Sequence, residues 1–582
     1  MPLRVHRYLI PLAAFLAILP LLLSGPSCGH DFDFHIVSWL EAAAQYAHGI
    51  YPQWAYTPAW NAGEPRFLFY PPISWTLGAL LTLALPIAFV PAAYTWAALT
   101  LAGFTAHRLA SSYSTPQASA FAAILYLANP YMLFTAYERS AFAELLAVAF
   151  LPLLFQAALA SRVKIIPTSI PIALLWLTNV PAAVMASYAL AVLTITRLLL
   201  PATKSGAPGL ASENWGTTSP KSTRIHLALT TIIATALGIL VAAFYILPAA
   251  IERKLVQIDM AVIPSLRPAD HFLFHRTGGT TSDDLFHDTV VRTASLVALT
   301  LLALVAAALY APALYAPRKS PCPIHHGPIA MDGPIPSLIP NPRTTLLPLT
   351  LLITFLLIPL SLPLWNHVPE LSLLQFPWRL TALLATILLV LAANAFTRLP
   401  TLPTLTPILF ACILIAPAYT LFHQTCNAFD TPTAIAGVFH SQLGFEGTDE
   451  YTPLGADSDS LHPENPPFWY TCTPPHGEAD AAINLPPPAN SNGGPVPNHF
   501  TLNLPCATSV ILNRRQFPAW QINLNGHSIT PKTPGRDDGL ITLALPAGPD
   551  TIDLTDTRST PQLLGLLLSA LALLSLPLLR KL

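Results

Sequence analysis

Apolar runs of about 20 residues recur along most of this chain, and no other feature restricts its folding as strongly. Lipid offers no hydrogen bonds to a backbone, so each such run must close its own as a helix. The runs fall at 8–25, 91–110, 117–135, 141–160, 165–178, 182–198, 226–248, 292–316, 344–364, 378–396, 403–422 and 561–579. They predict an all-α polytopic membrane protein with about twelve spans. Only 10% of the residues are charged and the formal net charge is −1, which excludes the nucleic-acid-binding class. The start, MPLRVHR and then a long apolar run, reads as an uncleaved first helix and not as a signal peptide.

One further apolar segment, 71–86, opens on Pro71-Pro72 and ends at Pro86. Parity decides whether it crosses, because basic residues collect in cytoplasmic loops. If 71–86 stays on one side, the clusters Arg4/Arg7, His107/Arg108, Arg162/Lys164, Arg197 to Arg224, Arg318/Lys319/Arg343, Arg398 and Arg580/Lys581 all share the cytoplasmic side. The segment is therefore expected to be re-entrant or interfacial, with both chain termini inside. Five segments then lie outside: 26–90, 136–140, 249–290, 365–377 and 423–560.

Three domains follow: a transmembrane domain over 1–422, with its first external loop at 26–90, an external β-rich domain over 423–560, and a last helix and tail over 561–582. In the second, HFTLNLPC, TSVILNRRQFPAWQINLNG, GLITLALPAG and DTIDLTD alternate as short strands. Asn525-Gly526 and Asp538-Gly539 are hairpin signals. A small β-sandwich is expected, entered through an irregular, proline-rich 446–500. Cys28, Cys426, Cys472 and Cys506 fall outside; Cys472 and Cys506 are a pairing option, with buried free thiols the other. Cys322, His325 and His326 offer too few ligands for a closed metal site.

Ionisable groups gather in 25–72, where His30, Asp31, Asp33, His35 and Glu41 stand among aromatics that include Trp39 and Tyr70. Such carboxylates serve as solvated helix ends, as ligands for a divalent cation, or as a general base. On an extended segment Asp31 and Asp33 share a face. For His30 and His35 hydrogen bonding is expected before metal ligation. The aromatics suit an interfacial belt or stacking on sugar rings. Residues 35–48 have the pattern of an amphipathic surface helix. Glu138, Arg139 and Glu144 form a second charged group; an acid inside an apolar run, as Glu144 is, faces a cavity or a partner. Arg379, in Gln375-Phe376-Pro377-Trp378-Arg379, can clamp a phosphate or snorkel to the interface.

Taken together, GHDFDFH, WLEAAAQYAHGIYPQW, NAGEPRFLFYPPISWTLGALL, ANPYMLFTAYERSAFAELLAVAFLPLLF, LQFPWRL, GTDEYTPLGAD and FPAWQINLNG resemble the bacterial membrane family called 6-pyruvoyl-tetrahydropterin synthase-related. The resemblance covers most of the chain, and the first and third stretches are its most specific parts. That family is similar in layout to GT-C glycosyltransferases. The resemblance implies transfer of a sugar from a polyprenyl-phosphate carrier to an envelope glycan or protein at the outer face of the inner membrane. By its first-loop acid it implies Asp31 as base, with Asp33 a weaker candidate and Glu138 as the second acid. His30, His35, Trp39, Tyr70, Arg139, Glu144 and Arg379 are expected around substrate and lipid. The resemblance implies no cofactor; the divalent cation that Asp31, Asp33 and His35 could hold is a reading of the residues alone. A lipid-carrier flippase and a non-catalytic envelope assembly protein are the competing functions; the first needs charges buried mid-span, and the second needs the β-domain but not Asp31.

Overall fold

The computed structural model describes residues 5–200, 220–314, 341–397, 403, 405–457, 459–472, 485–488, 493–531 and 536–579. Cys322, His325 and His326 lie outside these, as do the basic clusters at Arg4, Lys204, Arg318/Lys319, Arg398 and Arg580/Lys581.

Each of the predicted apolar runs is helical. Among the described residues, eight helices are long and apolar enough to cross a membrane. A ninth arises if Pro342–Leu356 and Pro359–His367, bent by 97°, count as one span. Tyr8–Ser24, Ile165–Trp176 and Thr406–Phe422 are apolar but shorter. The 71–86 segment becomes helix Pro72–Ala84, whose 13 residues fall short of the roughly 20 a span needs. Pro71 and Pro86 flank it, and a 3-10 turn, Ile87–Phe89, leads directly into helix Val90–Ala110.

Helix Phe32–Ala47 differs from expectation. Its residues Ile36 to Ala43 are buried without a break, so it has no solvent face over two turns. It is a packed internal helix and not an amphipathic one lying on a surface. Its Trp39 stacks on Tyr94 with ring centroids 5.0 Å apart. Trp39 packs so closely on helix Pro72–Ala84 that a Cβ at Gly78 would sit 2.1 Å from the indole. Only glycine fits there.

The C-terminal region is a pair of antiparallel sheets. Strands β1 (Phe468–Trp469), β3 (Thr508–Arg515) and β6 (Leu540–Leu545) form one, in the order β1-β3-β6. Strands β2 (His499–Leu504), β7 (Gly548–Asp556), β4 (Trp520–Leu524) and β5 (His527–Ile529) form the other, in the order β2-β7-β4-β5. Val510, Leu512, Ile541 and Leu543 of the first share one apolar cluster with Leu502, Ile522, Ile552 and Leu554 of the second. Asn525-Gly526 turns the β4–β5 hairpin with both residues at positive φ, as predicted. Asp538-Gly539 does not make a hairpin: β5 pairs with β4 while β6 pairs with β3. Pairing of the two strands in different sheets overrides the local turn signal.

The sheets do not hang free. Glu64 and Arg66 of the first loop form a buried ion pair at 2.7 Å. Arg66 also donates to Thr448 Oγ1, and Thr448 N donates to Glu64. Cys28 and Cys426 form a disulfide, as do Cys472 and Cys506.

Candidate functional site

The site starts from a tight crossing of three strands of backbone. Ser27 Oγ donates to the Tyr137 carbonyl, Ser140 Oγ donates back to the Ser27 carbonyl, and Asp31 N donates to the Arg139 carbonyl at 2.9 Å. On the other side Cys28 N donates to the Gln424 carbonyl. Gly29 lets these meet, since a Cβ there would lie 2.3 Å from the Glu138 carbonyl oxygen. Segments 392 or more residues apart in the chain, at 27–31 and 423–426, are thereby held against 137–140.

Asp31 precedes helix Phe32–Ala47 in the N-cap position, yet its side chain caps nothing. Its carboxylate instead faces Arg139 at 3.3 Å and His30 Nδ1 at 2.9 Å. Burial alone would raise its pKa, but Arg139 and His30 outweigh that and hold the group well below the usual carboxylate range. In return, the hydrogen bond and charge of Asp31 raise the His30 pKa above its ordinary value. With Nδ1 donating to Asp31, neutral His30 keeps a lone pair on Nε2.

Arg139 continues the chain of charge inward. Its other nitrogen donates to Glu144 at 2.6 Å, and Glu144 also meets Arg379 Nε at 3.2 Å. The Tyr131 hydroxyl donates to the remaining Glu144 oxygen. Glu144 is thus the inner hub of an Asp31–Arg139–Glu144–Arg379 row, and it faces partners as an acid within an apolar run should. Phe376 and Trp378, stacked at 5.1 Å, give both guanidiniums a ring to lie over: Arg139 on Trp378 at 4.8 Å, Arg379 on Phe376 at 4.5 Å. Arg379 neither snorkels nor stands open to a ligand. It is 7% exposed and also donates to the Leu374 carbonyl and Gln375 Oε1.

A cavity of about 360 Å³ opens beside the outer end of this row. His30, Glu138, Arg139, Phe376 and Trp378 line one part, and residues between Ser265 and Val290, among them His271, Asp283, Asp284, Phe286 and His287, line the rest. Four of the segments predicted to share one side of the membrane contribute walls. Burial raises the Glu138 pKa, against a hydrogen bond from Gln424.

Of the residues singled out by sequence, His30, Asp31, Glu138, Arg139, Glu144 and Arg379 come together. Asp33 does not. The helix begins at Phe32, so two residues of separation turn Asp33 nearly to the opposite face, where it is exposed and bonds its neighbour Phe34 N. The shared-face expectation assumed extended backbone. His35 is 2% exposed and enclosed by Phe34, Trp39, Tyr70 and Phe142, and burial pushes its pKa down to about 4. Trp39 and Tyr70 belong to this aromatic packing and do not line the cavity. Among the described residues, no three His, Cys, Asp or Glu side chains converge as a ready metal cage.

Tyr131, Ser140, His271 and His287 were missed. Tyr131 sits in the ANPYMLF stretch, 13 positions before an acid within an apolar run, and that acid's need of a partner is the one signal for it. Nothing local marks His271 and His287. Comparison with protein-family models, curated proteins and solved structures yields no match.

Proposed function

We propose that this chain is a multi-pass membrane glycosyltransferase of GT-C-like layout. In this reading about twelve helices cross the bacterial inner membrane, helix Pro72–Ala84 dips in without crossing, and the two sheets pack as a periplasmic sandwich. The enzyme takes a sugar from a polyprenyl-phosphate carrier and places it on an envelope glycan or protein. The observation that carries the proposal is the row Asp31–Arg139–Glu144–Arg379 ending at a cavity lined by His30 and Arg139. A buried row closed at one end and reaching a ligand-sized space at the other suits a site held rigid for chemistry.

Asp31 has a divided role. A carboxylate held strongly ionised accepts a proton poorly, whereas it orients a histidine well. The acceptor hydroxyl gives its proton to His30 Nε2, and its oxygen attacks the anomeric carbon. The bond from that carbon to the carrier phosphate breaks, and the phosphate leaves with the electron pair. Inversion follows from attack opposite the leaving group. Arg139 holds Asp31 by its longer contact, 3.3 Å against 2.6 Å to Glu144, and that contact is the one a phosphate oxygen exchanges with most readily.

An assembly protein without catalysis is favoured by one fact: both arginines already have carboxylate partners. Transfer of labelled sugar from polyprenyl-phosphate carriers, in membranes carrying Asp31→Asn or His30→Gln, separates the two. The transferase loses about 10²-fold or more in rate with either change. Unchanged envelope glycosylation with both variants removes Asp31 and His30 from any catalytic role.

A further inference from the structure

His271 and His287 are two buried groups beside the cavity that the row above does not use. His271 is 6% exposed and the His287 side chain 10%. Their rings lie 4.7 Å apart at 53° and line the same cavity.

Each ring has one nitrogen committed. His271 Nε2 lies 2.7 Å from the Ser265 carbonyl, which only accepts, so Nε2 carries the hydrogen. His287 Nδ1 lies 3.3 Å from Asp288 Oδ1, so there Nδ1 carries it. Asp288 is itself fixed by Thr277 N at 2.9 Å. Two lone pairs remain, on His271 Nδ1 and His287 Nε2. Both atoms are buried and neither has a hydrogen-bond partner.

We infer that His271 Nδ1 and His287 Nε2 bind one divalent transition cation of the zinc type, with its remaining positions open toward the cavity. Metal-binding histidines characteristically donate their other ring N–H to a backbone carbonyl or a carboxylate. His271 and His287 provide one of each. Two imidazoles on a tetrahedral zinc have centroids about 5 Å apart, close to the spacing here. Nitrogen donors favour a zinc-like ion over magnesium or calcium, which take oxygen. Since no third protein ligand converges among the described residues, water or an anionic oxygen of a ligand completes the sphere. Such an ion supplies positive charge that the neutralised arginines do not. This site is distinct from a cation held by Asp31, Asp33 and His35, which the placement of Asp33 rules out.

The test uses the full chain, purified in detergent through a histidine-free tag, stripped with chelator and titrated with Co²⁺. One cobalt per chain is expected, with visible absorption of a nitrogen-ligated site, and Zn²⁺ displaces it. His271→Ala and His287→Ala each abolish the band, while Asp288→Asn weakens binding 10–100-fold by disturbing the His287 orientation alone. Circular dichroism without metal checks that each variant folds; a variant that does not is set aside, and the wild-type stoichiometry with Asp288→Asn decides. No cobalt bound by the wild type, or binding that survives both histidine changes, overturns the inference. The measurement needs no sugar donor, so its failure leaves the transferase proposal standing.

Discussion

Two arginine–carboxylate clusters draw acids from the 26–90 loop, and they are built differently. Around Arg66 everything closes: Glu64 is 0% exposed, and its oxygens accept from Arg66 and Thr448 N. Arg66 also donates from each terminal nitrogen, to Ser38 and to Thr448, and its face lies over Phe34 at 4.5 Å. Nearby Glu41 is likewise saturated by Tyr56 N, Thr57 and Gln45. Around Arg139 the inner end is just as closed, but Asp31 keeps 29% of its side chain exposed and His30 56%. A saturated buried cluster can only fix geometry. One left open at a cavity can also meet a ligand. Charge alone did not separate the two, because both contain conspicuous acids in an apolar chain.

The contrast is sharpest under mutation. The largest effect is expected at the closed cluster. Arg66→Ala strands Glu64 without its charge partner and costs about 3–5 kcal/mol. Protease protection of 448–556 in membranes should fall with it, because Thr448 loses its bond from Arg66 and keeps only that to an uncompensated Glu64; unaltered protection means the sheets are held by other contacts. Next comes Arg139→Met, which leaves Asp31 with His30 alone and Glu144 with Arg379 alone and cuts the row in two. Transfer should drop about 10²-fold or more, with some loss of folded protein, read by detergent solubility alongside the rate.

A pH profile gives a smaller but more specific effect. His30 has a raised pKa in the fold, so its charged pair with Asp31 contributes fully below about pH 6.5 and is lost as pH climbs through the raised value. Proton acceptance runs the other way, and transfer should increase with pH through a value above 6.5. Asp31→Asn moves that limb to lower pH while lowering the plateau. A limb below about pH 4 assigns the base to Asp31 itself. The smallest effect is at Asp33: Asp33→Asn should change transfer less than about twofold, since exposed substitutions away from a site are near neutral.

Much of the fold was legible because lipid permits so few solutions. Every apolar run became a helix, and prolines at 71, 72 and 86 marked the short one. Lengths were less legible: Pro359 interrupts one run with a 97° bend, and three others stop short, since tertiary packing and not composition sets where a helix ends. The strands of the C-terminal region formed in the stretches expected, though β3 and β6 are buried in continuous runs and do not alternate, and which sheet took β5 or β6 depends on partners far along the chain. The site was half legible. Asp31, Arg139, Glu144 and Arg379 stood out as charges, yet that they form one row depends on contacts 108 residues apart and on Gly29. Asp33 was misplaced because a single residue, Phe32, begins the helix. His271 and His287 were invisible, because what marks them is the pairing of their other nitrogens with Ser265 and Asp288.

The most direct test sets the two clusters against each other in one experiment. Membranes carrying Asp31→Asn and Glu64→Gln are assayed in parallel for sugar transfer from polyprenyl-phosphate carriers and for thermal unfolding. Asp31→Asn should lose about 10²-fold in transfer while most of the protein stays folded, whereas Glu64→Gln unfolds far earlier but, in the fraction still folded, transfers normally. The account is contradicted if Asp31→Asn transfers as well as the unmodified chain, or if its loss is matched by an equal loss of folded protein.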